Sequence, residues 1–200
     1  RASPLQRALE RTFDVAASLG LLLIATPIML LAVLAIRVED GWKAPVLYRQ
    51  RRVGRYSEPF DVLKFRSMSV DAEQGEAIWA VKNDPRVTRV GNVMRKTRID
   101  ELPQLVNVLR GDMSFVGPRP ERPEFVERLE QKIPYYRERH TVKPGITGWA
   151  QLCYPYGSSE KDALEKLQYD LYYVKNRSLI FDLAILVQTV EVVLWGKGAR

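Results

Sequence analysis

The chain has 200 residues, 46% hydrophobic and 28% charged, a composition that builds a core and excludes a disordered chain. Its net charge of +7 points to anionic partners: phosphorylated substrates, a membrane surface or nucleic acid. One cysteine, Cys153, and one histidine, His140, exclude an intramolecular disulfide and a Cys- or His-rich zinc site, leaving oxygen-ligated Mg²⁺ or Mn²⁺ as the expected metal.

Residues 1–14 are polar and carry Arg7 and Arg11. Val15 to Ile36 then contains no charge, and as a straight helix rising ~1.5 Å per residue it would just span a ~30 Å hydrocarbon core. Thr26-Pro27 lies near its middle, where proline removes a backbone hydrogen bond and kinks a helix. Both flanks are basic, Arg7 and Arg11 before, Arg37 and Lys43 after, so both ends favour the cytoplasmic side. Two paths fit. A re-entrant hairpin broken at Pro27 satisfies both flanks, each half reaching ~18 Å deep; a kinked single span is the rival.

Residues 46–68 read as strands and turns, punctuated by Gly54 and Pro59. In Phe60-Asp-Val-Leu-Lys-Phe-Arg-Ser-Met68 the period of two puts Lys64 and Arg66 on one face and Leu63 and Phe65 on the other. That face suits a phosphate-binding wall or, equally, a solvated basic edge. Asp71 to Val81 reads as a short helix, followed by a turn at Asn83-Asp-Pro-Arg86.

The densest stretch of chemistry is Arg95-Lys-Thr-Arg-Ile-Asp-Glu-Leu-Pro-Gln-Leu105. Leu102, Leu105, Val106 and Leu109 give a helical stripe, so a helix is expected from near Asp100 to just before Gly111. Asp100 and Glu101 would then lie at the positive end of its dipole, beside Arg95, Lys96 and Arg98, a setting that favours ionised carboxylates. Taken alone, the pattern is that of an N-cap and a first-turn acid.

Downstream, Gly117-Pro-Arg-Pro120 excludes helix and stiffens the chain around Arg119, a frame that lets one cation grip a phosphate at small entropic cost. Glu121 to His140 is a charged helix or helix pair interrupted at Pro134, and Lys143-Pro-Gly-Ile-Thr-Gly-Trp-Ala-Gln151 is turn-rich. His140 and Cys153 read as structural. Lys161 to Val174 is a surface helix. Leu179 to Trp195 is apolar but carries Asp182, Gln188 and Glu191, which suits a core helix or one in the headgroup plane, with Trp195 at the boundary and Lys197 and Arg200 beyond.

Together these segments resemble the bacterial sugar transferase family, the monotopic phosphoglycosyl transferases. The resemblance rests on Phe13-Asp14, the Pro-interrupted apolar segment, Lys64-Phe-Arg-Ser-Met68, Arg98 to Ser114, Gly117-Pro-Arg-Pro120 and Lys143 to Gln151, in that order. It implies transfer of a sugar-1-phosphate from a UDP-sugar to membrane polyprenyl (undecaprenyl) phosphate, with release of UMP, at the start of exopolysaccharide, O-antigen or capsule assembly. Asp100 would be the nucleophile forming a covalent phosphosugar and Glu101 its partner, the two also holding Mg²⁺ (Mn²⁺ as alternative). Lys64, Arg66, Arg95 and Arg119 match cationic positions around the diphosphate, with Lys143 to Ser159 as a sugar-recognition loop. The implied setting is the cytoplasmic face of a bacterial inner membrane, with lipid but no nucleic acid as partner and a homodimer as the assembly. The Arg1 start suits a catalytic domain cut from a large member.

The expected fold is therefore α/β, helix-rich with a small sheet. Residues 1–40 form an amphipathic lead and re-entrant membrane helix, and residues 41–200 a cytoplasmic catalytic domain with interfacial helices. Two other classes remain compatible with the residues: a non-catalytic membrane-tethered basic module that binds anionic lipid or nucleic acid, and a Mg²⁺-dependent phosphohydrolase.

Overall fold

The uncharged run forms part of a single long helix, α1 (Pro4–Asp40), in a computed structural model that describes residues 4–69, 72, 84–154 and 159–195. Its most apolar 18-residue window has a mean hydropathy of 2.7 and is only 17% buried, unlike the core helix of a soluble protein. Gly41 ends the helix in the left-handed region at φ 91°, its N–H donating to Arg37 O at 3.0 Å. Pro27, where the sequence suggests the break of a re-entrant hairpin or the kink of a single span, lies inside this one helix. The missing proline N–H removes one rung of the ladder. Beside it, the Thr26 hydroxyl donates to Leu22 O one turn back at 2.6 Å, a bond that bends helices without ending them.

The remaining elements follow in the order β1 (Leu47–Val53), β2 (Pro59–Phe65), α2 (Arg89–Thr97), α3 (Gln104–Arg110), β3 (Ser114–Val116), α4 (Pro123–Lys132), β4 (Gly145–Thr147), α5 (Trp149–Cys153), α6 (Glu160–Asn176) and α7 (Leu179–Trp195). Helix dominates and the sheets are small: β1 pairs with β2, and β3 runs parallel to β4 in the register Ser114 to Gly145 and Val116 to Thr147. The helix expected over Asp71–Val81 lies, apart from Ala72, outside the described residues. So do residues 155–158 of the proposed recognition loop, Lys197, Arg200 and the side chain of Trp195.

The chain divides into two compact units, interleaved along the sequence. One comprises Arg1–Ala16, Arg51–Phe60 and Val108–Arg200. Within it the parallel pair is closed by glycines: a Cβ on Gly117 would meet Lys143 O at 2.3 Å, and one on Gly145 would meet Gly117 N at 2.1 Å. The first turns of α1 are tied into this unit by side chains. Arg11 forks over the last carbonyls of α3, donating to Val108 O and Leu109 O at 2.6 Å each. Asp14 Oδ1 accepts from Ser114 Oγ at 3.0 Å and from Phe115 N at 3.2 Å. α6 opens on a capping box between Ser159 and Asp162. α7 buries Ile185 on one side and exposes Ile180, Leu183, Val187 and Val190 on another.

The other unit comprises Ala17–Gln50 and Asp61–Asn107. Its core joins Ala32 and Ile36 of α1 to Phe65 and Met94, with Val46, Val90 and Ile99 packed around them. The end of α1 is fastened by charge as well. The Glu39 carboxylate accepts from Arg89 N and Val90 N at 2.8 and 3.0 Å, capping α2 beside the Thr88 cap on Gly91 N. Asn107, fully buried, accepts from Leu63 N at 2.9 Å and donates to Asp61 O at 2.8 Å.

Candidate active site

α2 stops at Arg98, which adopts the left-handed conformation at φ 60° although it is not glycine. Such residues cost conformational energy and concentrate at functional sites. The turn leads directly into a short 3₁₀ segment, Ile99–Glu101, that presents both acids. Pro103 and a tight turn follow before α3 begins at Gln104 and ends at Arg110, with Gly111 at φ 93°. The helix thus stops where the sequence indicates and starts four residues later than expected. Asp100 is not an N-cap; that place before the 3₁₀ segment is taken by Arg98, whose side chain caps nothing.

Asp100 is buried, and its Oδ1 has no hydrogen-bond partner among the described residues. Burial first, then the charge of Glu101, raise its carboxyl above the ordinary range; Lys64, Arg95 and Arg98 oppose this in that order. This corrects the expectation that the setting favours the ionised form: the acid sits in a short 3₁₀ turn, and desolvation outweighs the cations. Glu101 takes the cations more directly, with Lys64 Nζ 3.7 Å from Oε1 and Arg98 Nη1 3.5 Å from Oε2. The two carboxylates therefore differ in role: one is desolvated with an open oxygen, the other is ion-paired.

Lys64 and Arg95 lie in the same unit as Asp100. Arg95 is half-buried, its Nε donating to Ser67 Oγ at 3.1 Å. Arg66 departs from the alternation read in the sequence. β2 ends at Phe65, and Arg66 just beyond it is buried, its Nη2 3.0 Å from Asp40 Oδ2. Its Nε and Nη1 are buried without a hydrogen-bond partner among the described residues. Arg119 belongs to the other unit, half-buried in the Gly117–Pro120 loop.

His140 is structural, as the sequence suggests. It is buried beside Ser57 Oγ at 3.5 Å, and desolvation together with Arg139 and Arg137 pulls its pKa down to about 3, so it is neutral at working pH. Sequence reasoning misses three arrangements: the Glu39 cap on α2, the Asp40–Arg66 pair, and a buried Arg139–Asp170 pair at 2.7 Å. Glu39 and Asp40 carry no local signal beyond closing the apolar run, and Arg139 and Asp170 are too far apart in sequence for any spacing rule to link them.

The profile of the bacterial sugar transferases matches residues 5–196. The chain belongs to the bacterial sugar transferase family. Relatives within this family carry related names. A UDP-N-acetylgalactosamine-undecaprenyl-phosphate N-acetylgalactosaminephosphotransferase of Aeromonas hydrophila is 44% identical over 198 residues, covering 99% of this chain and 46% of the relative. The UDP-glucose:undecaprenyl-phosphate glucose-1-phosphate transferase of Escherichia coli (strain K12) is 43% identical over 192 residues, covering 94% of this chain and 40% of the relative. The exopolysaccharide production protein PSS of Rhizobium leguminosarum bv. phaseoli is 41% identical over 197 residues, covering 95% of this chain and 98% of the relative. This member of the sugar transferase family thus spans less than half the length of the first two and nearly all of the third.

The donor set of this site fits Mg²⁺. The described residues contain no cluster of three or more His, Cys, Asp or Glu placed to hold a metal, but Mg²⁺ uses one or two carboxylates and takes its other ligands from substrate phosphates and water. Asp100 and Glu101 would supply that pair, and the open Oδ1 of Asp100 is a buried oxygen in want of a partner.

Proposed function

We propose that this chain transfers a sugar-1-phosphate from a UDP-sugar to undecaprenyl phosphate, beginning the assembly of a cell-surface polysaccharide. The observation that carries the reading is Asp100: a buried carboxylate with an open oxygen, adjacent to an ion-paired Glu101 and under the fields of Lys64, Arg95 and Arg98. The names of the relatives support the substrate pair.

In this reading a carboxylate oxygen of Asp100 attacks the sugar-linked phosphorus of the UDP-sugar. The bond from that phosphorus to the bridging oxygen breaks, and UMP leaves with that oxygen. An oxygen of the lipid phosphate then attacks the same phosphorus, the bond to Asp100 breaks, and the carboxylate is restored. Lys64 and Arg95 neutralise charge on the phosphoryl group, and Arg119 is the remaining phosphate-binding cation that the family resemblance supplies. Arg66, closed in by Asp40, supports the end of β2 and so acts on the site indirectly. Bound by Asp100 and Glu101, Mg²⁺ would neutralise diphosphate charge. Glu101, held by two cations, keeps the segment in place beside the nucleophile.

The setting in this proposal is the cytoplasmic face of the inner membrane, with α1 entering and returning to the same side. The basic flanks support that path, as does the Thr26 back-bond beside Pro27, which bends the helix. Protease accessibility of both ends of α1 in inverted vesicles tests it; exposure of the two ends on opposite sides overturns the path.

The relatives named for N-acetylgalactosamine, glucose and galactose are 44%, 43% and 40% identical, too close together to rank the sugars. UMP release with undecaprenyl phosphate across a panel of UDP-sugars identifies the donor. Asp100→Asn is expected to abolish both release and the labelled covalent enzyme; full turnover in that variant overturns the assignment.

A further inference from the structure

The loop that carries Arg119 is held in an unusual way. Pro118 and Pro120 have no N–H, so within residues 118–120 only Arg119 has a backbone donor, and the loop is anchored through its carbonyls. Four successive carbonyl oxygens are taken. Pro118 O accepts from Gly145 N at 3.0 Å, and Glu121 O accepts from Val53 N at 2.9 Å. Between them, Arg119 O accepts from Arg139 Nη2 at 2.9 Å and Pro120 O from Arg52 Nη1 at 3.0 Å. The two central carbonyls are thus held by side chains.

Arg139 is itself fixed on every side. Its Nε donates to Asp170 Oδ2 at 2.9 Å, its Nη2 lies 2.7 Å from the same oxygen, and its Nη1 donates to Tyr136 Oη at 2.9 Å. Arg139 is 5% exposed and Asp170 2%, so this is a fully desolvated pair. Such pairs add little net stability over an apolar core of the same volume. What the planar fork adds is geometry: three directions of donation from one rigid group, which lysine cannot reproduce.

We propose that Arg139, locked by Asp170 and Tyr136, is a positioning residue that fixes the backbone of Arg119 and so restricts the directions its side chain can take. This rests on the reading of Arg119 as a phosphate-binding cation given above. Arg52 does the same for the backbone of Pro120.

The test is a double-mutant cycle on the full chain in detergent, with the UDP-sugar that the panel identifies and saturating undecaprenyl phosphate. KM and kcat are measured for Arg119→Ala, Arg139→Lys and the double variant, with thermal unfolding of each. Arg119→Ala and Arg139→Lys are each expected to raise KM for the UDP-sugar ~10-fold, the size of one lost charge-assisted contact. Added to Arg119→Ala, Arg139→Lys should change KM by less than ~2-fold, because its effect runs through the missing side chain. Tyr136→Phe keeps the ion pair and removes one acceptor, which covers the case in which Arg139→Lys does not fold. It should raise KM ~3-fold in the parent, and again not in the Arg119→Ala background. A KM effect of equal size in both backgrounds, or a loss of kcat and melting temperature with KM unmoved, overturns the positioning role and leaves the phosphate reading standing. An unchanged KM in Arg119→Ala overturns the phosphate reading, and the positioning role with it.

Discussion

Replacing Lys64 by methionine should move the acid limb of the pH–rate profile to higher pH. In the proposed mechanism Asp100 must be ionised to attack, so the limb reports loss of its proton. Burial and Glu101 already raise that carboxyl, and Lys64 is the largest opposing influence, ahead of Arg95 and Arg98. Removing it lets Asp100 hold its proton to higher pH, and the ionised fraction at any pH on the limb falls. Methionine keeps the apolar stem, so the packing of that stem is largely retained. The energy lost can be bounded from the geometry. Lys64 Nζ lies 3.7 Å from Glu101 Oε1. Two unit charges at that separation attract by about 4 kcal/mol at an effective dielectric of 20. The side chains are 19% and 12% exposed, and Arg98 stays on the other carboxylate oxygen at 3.5 Å. Solvent and that second cation reduce the net stability cost to about 1–3 kcal/mol. The assay is kcat/KM for UMP release against pH, with thermal unfolding alongside. The absolute rate should also fall, because the proposed mechanism uses Lys64 to neutralise phosphate charge, so the position of the limb is the diagnostic. Glu101→Gln, which removes a raising influence, should move the residual limb the other way. A limb unmoved or lowered in Lys64→Met refutes the reasoning.

Asp100→Asn should abolish transfer and also raise the melting temperature at neutral pH. The fold raises this carboxyl, so ionising it opposes folding at every pH above the ordinary carboxylate range, and the gain should vanish by about pH 3. A lower melting temperature at pH 7 contradicts the desolvation argument. Asp182 offers the same test away from the proposed chemistry: burial lifts it from 3.8 to about 6 despite the Tyr173 hydroxyl donating at 2.8 Å. That difference corresponds to up to about 3 kcal/mol of destabilisation at pH 8, so Asp182→Asn should raise denaturant stability there and leave it unchanged near pH 3. Destabilisation of Asp182→Asn at pH 8 would show that the Tyr173 bond outweighs desolvation. Chelation by EDTA should stop UMP release and added Mg²⁺ restore it; full turnover in EDTA removes the metal from the proposal.

Much of this molecule is legible from local pattern. The limits of α6 and α7, the stop of α3 before Gly111 and the non-helical Gly117–Pro120 loop follow from periodicity, caps and proline, which act within a few residues. The failures occur where a neighbour distant in sequence decides. Arg66 reads as a partner of Lys64 by alternation, but β2 ends one residue earlier and Asp40 draws it inward. The ionisation of Asp100 is misread because sequence displays the surrounding cations and conceals the burial that outweighs them. Pro27 announces a break, yet a helix can lose one hydrogen bond and continue. The pair of Arg139 and Asp170 has no local signature at all, since only the packing of α6 brings them together.

The helix that carries the apolar run also has consequences for handling the protein. Its first turns supply Arg11 and Asp14 to one unit, and its last turns supply Ile36, Glu39 and Asp40 to the other. The helix is therefore tied to other parts of the chain near both of its ends and is not a detachable leash. Cutting the chain after residue 40 would strip caps from α2 and α3 and open the hydrophobic cluster around Phe65, Met94 and Ile99. Solubilisation has to come from detergent or nanodiscs, or from polar substitutions on the exposed face of α1 that leave those anchoring residues in place.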